Sequence, residues 1–147
     1  DVAKNNYSQF DFQVKTENNT NYIFDCIRKK YVKLTPEEWV RQHCIHQLLH
    51  NGFPEGRLSV ERNFPKSKKR YDLAYLNREG VPSLLVECKA PKVTIDETTL
   101  NQVSGYIYLQ NVKYVLLTNG LIHFLIIRND DKLEIVQDFP LFSKISD

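Results

Sequence analysis

The chain has no apolar run longer than five residues. A membrane-crossing helix needs about 20 consecutive apolar residues, so none is expected. Its first residues, DVAKNNYSQFDF, lack the basic-then-apolar layout of a secretory signal. Cysteine is scarce and odd in number: Cys26, Cys44 and Cys88. An odd count without an export signal predicts free thiols in a reducing, cytoplasmic compartment rather than a disulfide framework. Asn18-Asn19-Thr20 matches a glycosylation sequon, which carries no weight without export. Methionine is absent altogether, initiator included, and the natural start is expected to lie outside this sequence. No charge of one sign dominates: 20 Lys and Arg face 18 Asp and Glu, for a net +2. Any nucleic-acid footprint must therefore be local. No repeat, low-complexity tract or linker divides the chain.

What is present is ordinary for a soluble globular domain: 147 residues, 41% hydrophobic and 26% charged. A single domain over residues 1–147 is expected, with an N-terminal hairpin extension in 1–32 and a core in 35–128. Phe10 to Lys15 alternates apolar and polar, Asn18 to Asn21 is a turn cluster, and Tyr22 to Ile27 reads as the return strand. Thr35-Pro36-Glu37-Glu38 starts a helix, with Thr35 as cap, Pro36 in the first position and Glu38 completing a capping box. That helix presents Trp39, Val40, Cys44, Ile45, Leu48 and Leu49 on one face and stops at Asn51-Gly52. Strands are predicted at Leu58–Glu61, Arg70–Leu76 and Ser83–Lys89. A second helix from about Asp96 to Leu109 and strands at Val112–Leu117, Leu121–Ile127 and Leu133–Val136 follow. This order predicts an α/β fold with a central mixed β-sheet flanked by helices.

Chemistry concentrates in Leu84-Leu85-Val86-Glu87-Cys88-Lys89-Ala90-Pro91. Alternate strand residues share a face, so Glu87 and Lys89 follow Leu85 on one side while Cys88 points to the other. Cys88 is expected to be a small core residue. A lone Glu-x-Lys is usually a self-paired or solvated sheet edge. Here Asp72 lies in the preceding apolar run, and a turn at Asn77–Gly80 would pair the two strands. Two carboxylates brought together repel, so one takes a proton or both share a dication. Oxygen ligands without nearby His or Cys favour Mg²⁺ or Mn²⁺. Lys89 beside them could hold a water or steady developing negative charge.

Asp72 followed at a distance of fifteen residues by Glu87-Cys88-Lys89 resembles the PD-(D/E)XK nuclease signature, with Tyr71 where that signature has Pro. Leu34 to Gln42, Lys69 to Asp72, Val86 to Pro91, Gln102 to Tyr106 and Leu117 to Gly120 together resemble the N-terminal domain of type I restriction enzyme R subunits. The likeness covers roughly Tyr22 to Phe139. It implies a restriction-endonuclease-like core and Mg²⁺-dependent (or Mn²⁺-dependent) cleavage of DNA, in restriction, defence or repair. It implies that Asp72, Glu87 and the backbone carbonyl of Cys88 bind the metal. Lys89 would orient water, and a glutamate of the first helix, Glu38 before Glu37, would support the metal. Gln102 and Tyr106, at i and i+4 on one helix face, would contact DNA. Other restriction-system or helicase subunits are implied as partners. The helicase-like motor that follows this domain in R subunits has no room before Asp147, so motor-dependent restriction is not expected of this chain alone.

Plainer readings stand beside these. Glu38 can be a cap alone, and Gln102 and Tyr106 an ordinary helix surface. Arg41 can pair with Glu37 or Glu38. Lys66 to Arg70, with Lys68 and Lys69 at its centre, is either a solvated loop or a phosphate-neutralising patch beside Asp72. His43, His46 and His50 lack a fourth zinc ligand and are read as an exposed polar stripe. The main alternative to an enzyme is an inactive nuclease-fold module that binds DNA or a partner subunit.

Overall fold

The computed structural model describes residues 10–64 and 66–145. The outer ends of the expected domain, residues 1–9 and 146–147, lie outside the described residues.

The N-terminal part is a three-stranded antiparallel sheet, β1 (Val14–Glu17), β2 (Thr20–Asp25) and β3 (Lys30–Lys33). Asn18 (φ 49°) and Asn19 (φ 64°) turn β1 into β2. Asparagine tolerates this left-handed region, and two such residues in a row suit the twist of a tight hairpin. The expected hairpin is formed by β1 and β2, and a third strand extends it. The cause of the extension is Asp25, whose Oδ1 accepts the backbone N–H groups of Ile27 and Arg28, both at 2.7 Å. That side chain folds the turn that sends Lys30–Lys33 back along β2, with Lys30 opposite Asp25. The first strand also starts later than its alternation suggests. Phe10 and Phe12 leave the sheet to pack on the first helix, Phe12 lying 4.5 Å from the His43 ring and Phe10 5.6 Å from that of His46.

Helix α1 runs Pro36–His50, and Thr35 Oγ1 accepts the Glu38 N–H at 3.0 Å. Only half of the expected capping box forms, because the Glu38 carboxylate turns to Arg28 and Gln42 instead of Thr35. The helix ends at Asn51, and Gly52 takes φ +96°, a conformation open to glycine. The histidines are not an exposed stripe: His43 is buried and stacks 3.9 Å from Trp39, His46 is half-buried, and His50 alone is exposed.

The larger sheet has the order β4 (Leu58–Val60), β5 (Leu73–Leu76), β6 (Pro82–Cys88), β7 (Tyr114–Thr118), β8 (His123–Asn129), β9 (Lys132–Val136). All pairings are antiparallel except β6 with β7. A parallel pair needs a crossover, supplied by α2 (Glu97–Leu109), which Asp96 caps through the Thr99 N–H. The mixed sheet has a separate hydrophobic cluster on each face, as α/β layering requires. Val40, Cys44, Ile45 and Leu48 of α1 pack with Leu73, Leu84, Val86, Cys88 and Leu116. Val103 and Ile107 of α2 pack with Ala74, Leu85, Val115 and Leu117. Strand parity thus assigns Leu84, Val86 and Cys88 to the α1 face and Leu85 to the α2 face. β5 is shorter than its apolar pattern predicts. It begins at Leu73, and Arg70 forms only an isolated bridge to Asn63.

Candidate active site

The end of β6 and the entry to β5 meet where the apolar faces give out. Leu73 pairs with Val86, so the preceding Asp72 comes opposite Glu87. The two carboxyl groups lie within side-chain hydrogen-bonding reach. Asp72 Oδ2 also accepts the Cys88 backbone N–H at 2.9 Å. Lys89 follows, held by its N–H donating to the Thr118 carbonyl at 2.8 Å. Glu87 is pushed up to about 8 by burial, then by the hydrogen bond and charge of Asp72, with Lys89 pulling the other way. Burial and the neighbouring Asp72 thus favour the protonated form of Glu87. Cys88 is 1% exposed on the α1 face, and its thiol is pushed up by its contact with Cys44 and by burial. It is a core residue whose backbone lies at the site.

Helix α1 contributes to the same place, with a division between its two glutamates. Glu37 is raised by burial and then by the charge of Asp72, with Arg41 and then Lys89 opposing that rise. Its charge in turn raises Glu87. Glu38 faces elsewhere: its Oε2 accepts from Arg28 and from Gln42 Nε2, both at 2.9 Å. Gln42 Nε2 also donates to the fully buried Asp25 at 2.9 Å. Burial would raise Asp25, but the backbone N–H of Arg28, its side chain and Gln42 outweigh it and hold the carboxyl low. Arg41, 4% exposed, lies between the two groups. It reaches Glu37 at 3.4 Å, Glu38 at 3.7 Å and Asp72 at 3.9 Å, and donates a short hydrogen bond to Glu61. Burial works against its charge, yet Glu38, Glu61 and Asp72 keep the guanidinium protonated.

On the α2 side a cleft of about 600 Å³ is lined by Lys69, Glu87, Lys89, Thr99, Gln102 and Tyr106. Gln102 is exposed and Tyr106 half-buried. The Lys69 ammonium lies 5.5 Å from the Tyr106 ring centroid, bridging the basic loop to α2. Arg70 pairs with Glu61 at 2.9 Å and lines an adjoining pocket with Asp72, Glu87 and Tyr106. Lys68 is exposed on the loop. The structure thus brings Asp72, Glu87, Lys89, Lys69, Gln102 and Tyr106 to one region and directs Glu38 and Arg70 into ion pairs beside it. Glu61 and Arg28 had no signal in the sequence: their roles arise from contacts across 20 and 10 residues. Among the described residues, no group of three or more His, Cys, Asp or Glu is gathered closely enough to hold a metal ion. The side-chain oxygens offered are those of the Asp72–Glu87 pair.

A mixed sheet between two helices, with a carboxylate pair and a lysine at the end of one central strand, defines a restriction-endonuclease-like α/β fold. The family model for the type I restriction enzyme R protein N terminus matches residues 36–140. The chain belongs to that family. No curated protein matches it. Among solved structures it is similar to a fragment of a candidate HsdR subunit of a type I restriction enzyme from Vibrio vulnificus YJ016, with a TM-score of 0.57 and 17% identity. That match covers 76% of this chain and 24% of the Vibrio chain, so this chain spans about a quarter of that relative.

Proposed function

We propose that this is a metal-dependent deoxyribonuclease domain of the PD-(D/E)XK type. It would act in restriction, defence or repair, alongside other restriction-system or helicase subunits. The observation that carries this reading is the carboxyl pair itself. Asp72 stands opposite Glu87, which lines a cleft with basic and aromatic walls, and burial together with Asp72 favours a proton on the Glu87 carboxyl. A hard dication replaces such a proton directly. The donor set fits Mg²⁺ or Mn²⁺: Asp72, Glu87 and the Cys88 carbonyl would hold the ion, with solvent filling the rest of its shell. When bound, it would supply Lewis acidity to a phosphodiester and to a coordinated water.

The chain's own groups do the remaining work. Lys89, half-buried beside Glu87, orients water and offsets negative charge. Glu37, the helix carboxylate whose charge is felt at Glu87, takes the supporting role that the family pattern first suggested for Glu38. Arg41 fixes Glu37 and Asp72 relative to α1. Gln102, Tyr106 and Lys69 line the wall along which a strand would lie, with Lys68 adding charge on the loop.

Incubation with plasmid or single-stranded DNA and Mg²⁺ or Mn²⁺ tests the proposal. Lys89→Ala is expected to cut at least about 100-fold more slowly than wild type, the scale of losing one transition-state stabilising group. Equal nicking by the two proteins refutes the catalytic assignment. Binding of DNA without any metal-dependent cleavage would favour the inactive module.

A further inference from the structure

The N-terminal sheet lies outside the matched region 36–140, and its outer face has no part in the proposed cleavage. Register and parity fix that face. Lys15 stands opposite Tyr22, Tyr22 opposite Lys33, and Phe24 opposite Tyr31. Directly paired residues share a face, so Lys15, Tyr22, Phe24, Tyr31 and Lys33 lie together. Ile23 and Asp25, on the other face, are fully buried, and Asp25 bonds to Gln42 of α1. The aromatic face therefore points away from α1. Tyr31 is 37% exposed, Tyr22 and Phe24 are half-buried, and Lys15 and Lys33 are exposed.

We propose that this face binds single-stranded DNA, with its bases stacked on Tyr22, Phe24 and Tyr31 and its phosphates on Lys15 and Lys33. Three observations support the assignment. The rings form a continuous surface: Phe24 and Tyr31 lie 5.3 Å apart, and Tyr22 is two residues from Phe24 on the same strand, a step of roughly 7 Å. Exposed aromatic side chains on a sheet offer stacking to unpaired bases, which a duplex does not present. The charge is complementary. The outer face carries Lys15 and Lys33 against one acid, Glu17, which pairs with Lys15 at 3.0 Å, while Asp25 is buried on the other face against Arg28. Finally, Lys15 already places its ammonium 4.3 Å from the Tyr31 ring centroid. A stacked base replaces that contact while the ammonium turns to a phosphate.

The sheet also adjoins the cleft region. Arg28, in the β2–β3 turn, reaches Glu61 at 3.9 Å, and Glu61 holds Arg70 of the basic loop. A strand leaving the sheet at this turn would meet the same basic loop that borders the cleft.

The test is fluorescence anisotropy of a labelled 20-mer of dT against the full chain in EDTA, where no metal-dependent cleavage contributes. Tyr31→Ala and Phe24→Ala are each expected to weaken binding about 5-fold or more. Lys33→Ala is expected to reduce the slope of log affinity against log salt by about 0.7. Circular dichroism checks that the variants fold, and Tyr31→Phe, which keeps the ring, should retain wild-type affinity. Wild type that fails to bind dT, prefers duplex, or prefers a ribo-oligomer overturns the proposal. So does binding that Lys69→Ala abolishes while Tyr31→Ala and Phe24→Ala leave it intact. None of these outcomes depends on nuclease activity, so this proposal and the cleavage proposal fail separately.

Discussion

The two sheets of this molecule are held together by different means. In the large sheet, β6 is apolar on both faces: Leu84 is 0%, Val86 2% and Leu85 5% exposed, and the strand is covered by α1 on one side and α2 on the other. In the small sheet, β1 is exposed throughout, and the attachment to the body combines a smaller apolar contact, through Ile23, Cys26 and Ile27, with a network of charge. Asp25, Arg28, Gln42 and Glu38 form one connected group across the junction. Where packing dominates, strand parity places functional groups. The same alternation that buries Leu85 carries Glu87 and Lys89 to the α2 face. Where ion pairs dominate, a single side chain such as Arg28 decides which way another, Glu38, points.

The largest break in this comparison should come from the packed sheet. Leu84→Ala removes a fully buried side chain between α1 and the sheet and should destabilise the fold by about 2–5 kcal/mol, measured by urea unfolding. A loss below 1 kcal/mol would mean that the α1 face is not the main core. The corresponding break in the small sheet is Arg28→Ala. It strands the buried Asp25 and frees Glu38, for an expected loss of about 2–3 kcal/mol. A rise in stability instead would show that the ionic junction is not what attaches the sheet.

A smaller effect distinguishes the regions by pH. The Glu87 carboxyl, ordinarily at 4.5, is held near 8 in the fold. A raised acid favours the folded state while it keeps its proton. Its contribution is full below pH 4.5 and is lost as pH rises through about 8. The metal-free protein should lose stability steadily across that range, and Glu87→Gln should flatten the profile. An unchanged profile in the variant would place the proton elsewhere. Least of all should come from β1: Val14, 51% exposed, should tolerate Ala within about 0.5 kcal/mol.

The legible parts of the sequence were those fixed by local rules. The cap at Thr35, the apolar stripe of α1, the alternation through Leu85, Glu87 and Lys89, and the turn before β6 all follow from residue spacing. What escaped depended on contacts distant in sequence. β3 exists because the Asp25 side chain builds its turn. His43 is buried because Phe12, 31 residues earlier, covers it. The capping pattern singles out Glu38, yet Arg28 draws that carboxylate away and leaves Glu37 as the one whose charge reaches Asp72. No periodicity records such a choice between adjacent side chains.

Titration calorimetry with Mn²⁺ addresses the carboxyl pair most directly, because it needs neither DNA nor turnover. Wild type should show a saturable site that Asp72→Asn abolishes and that Lys89→Ala retains. Heat of binding that is absent from wild type, or unchanged in Asp72→Asn, would contradict the account.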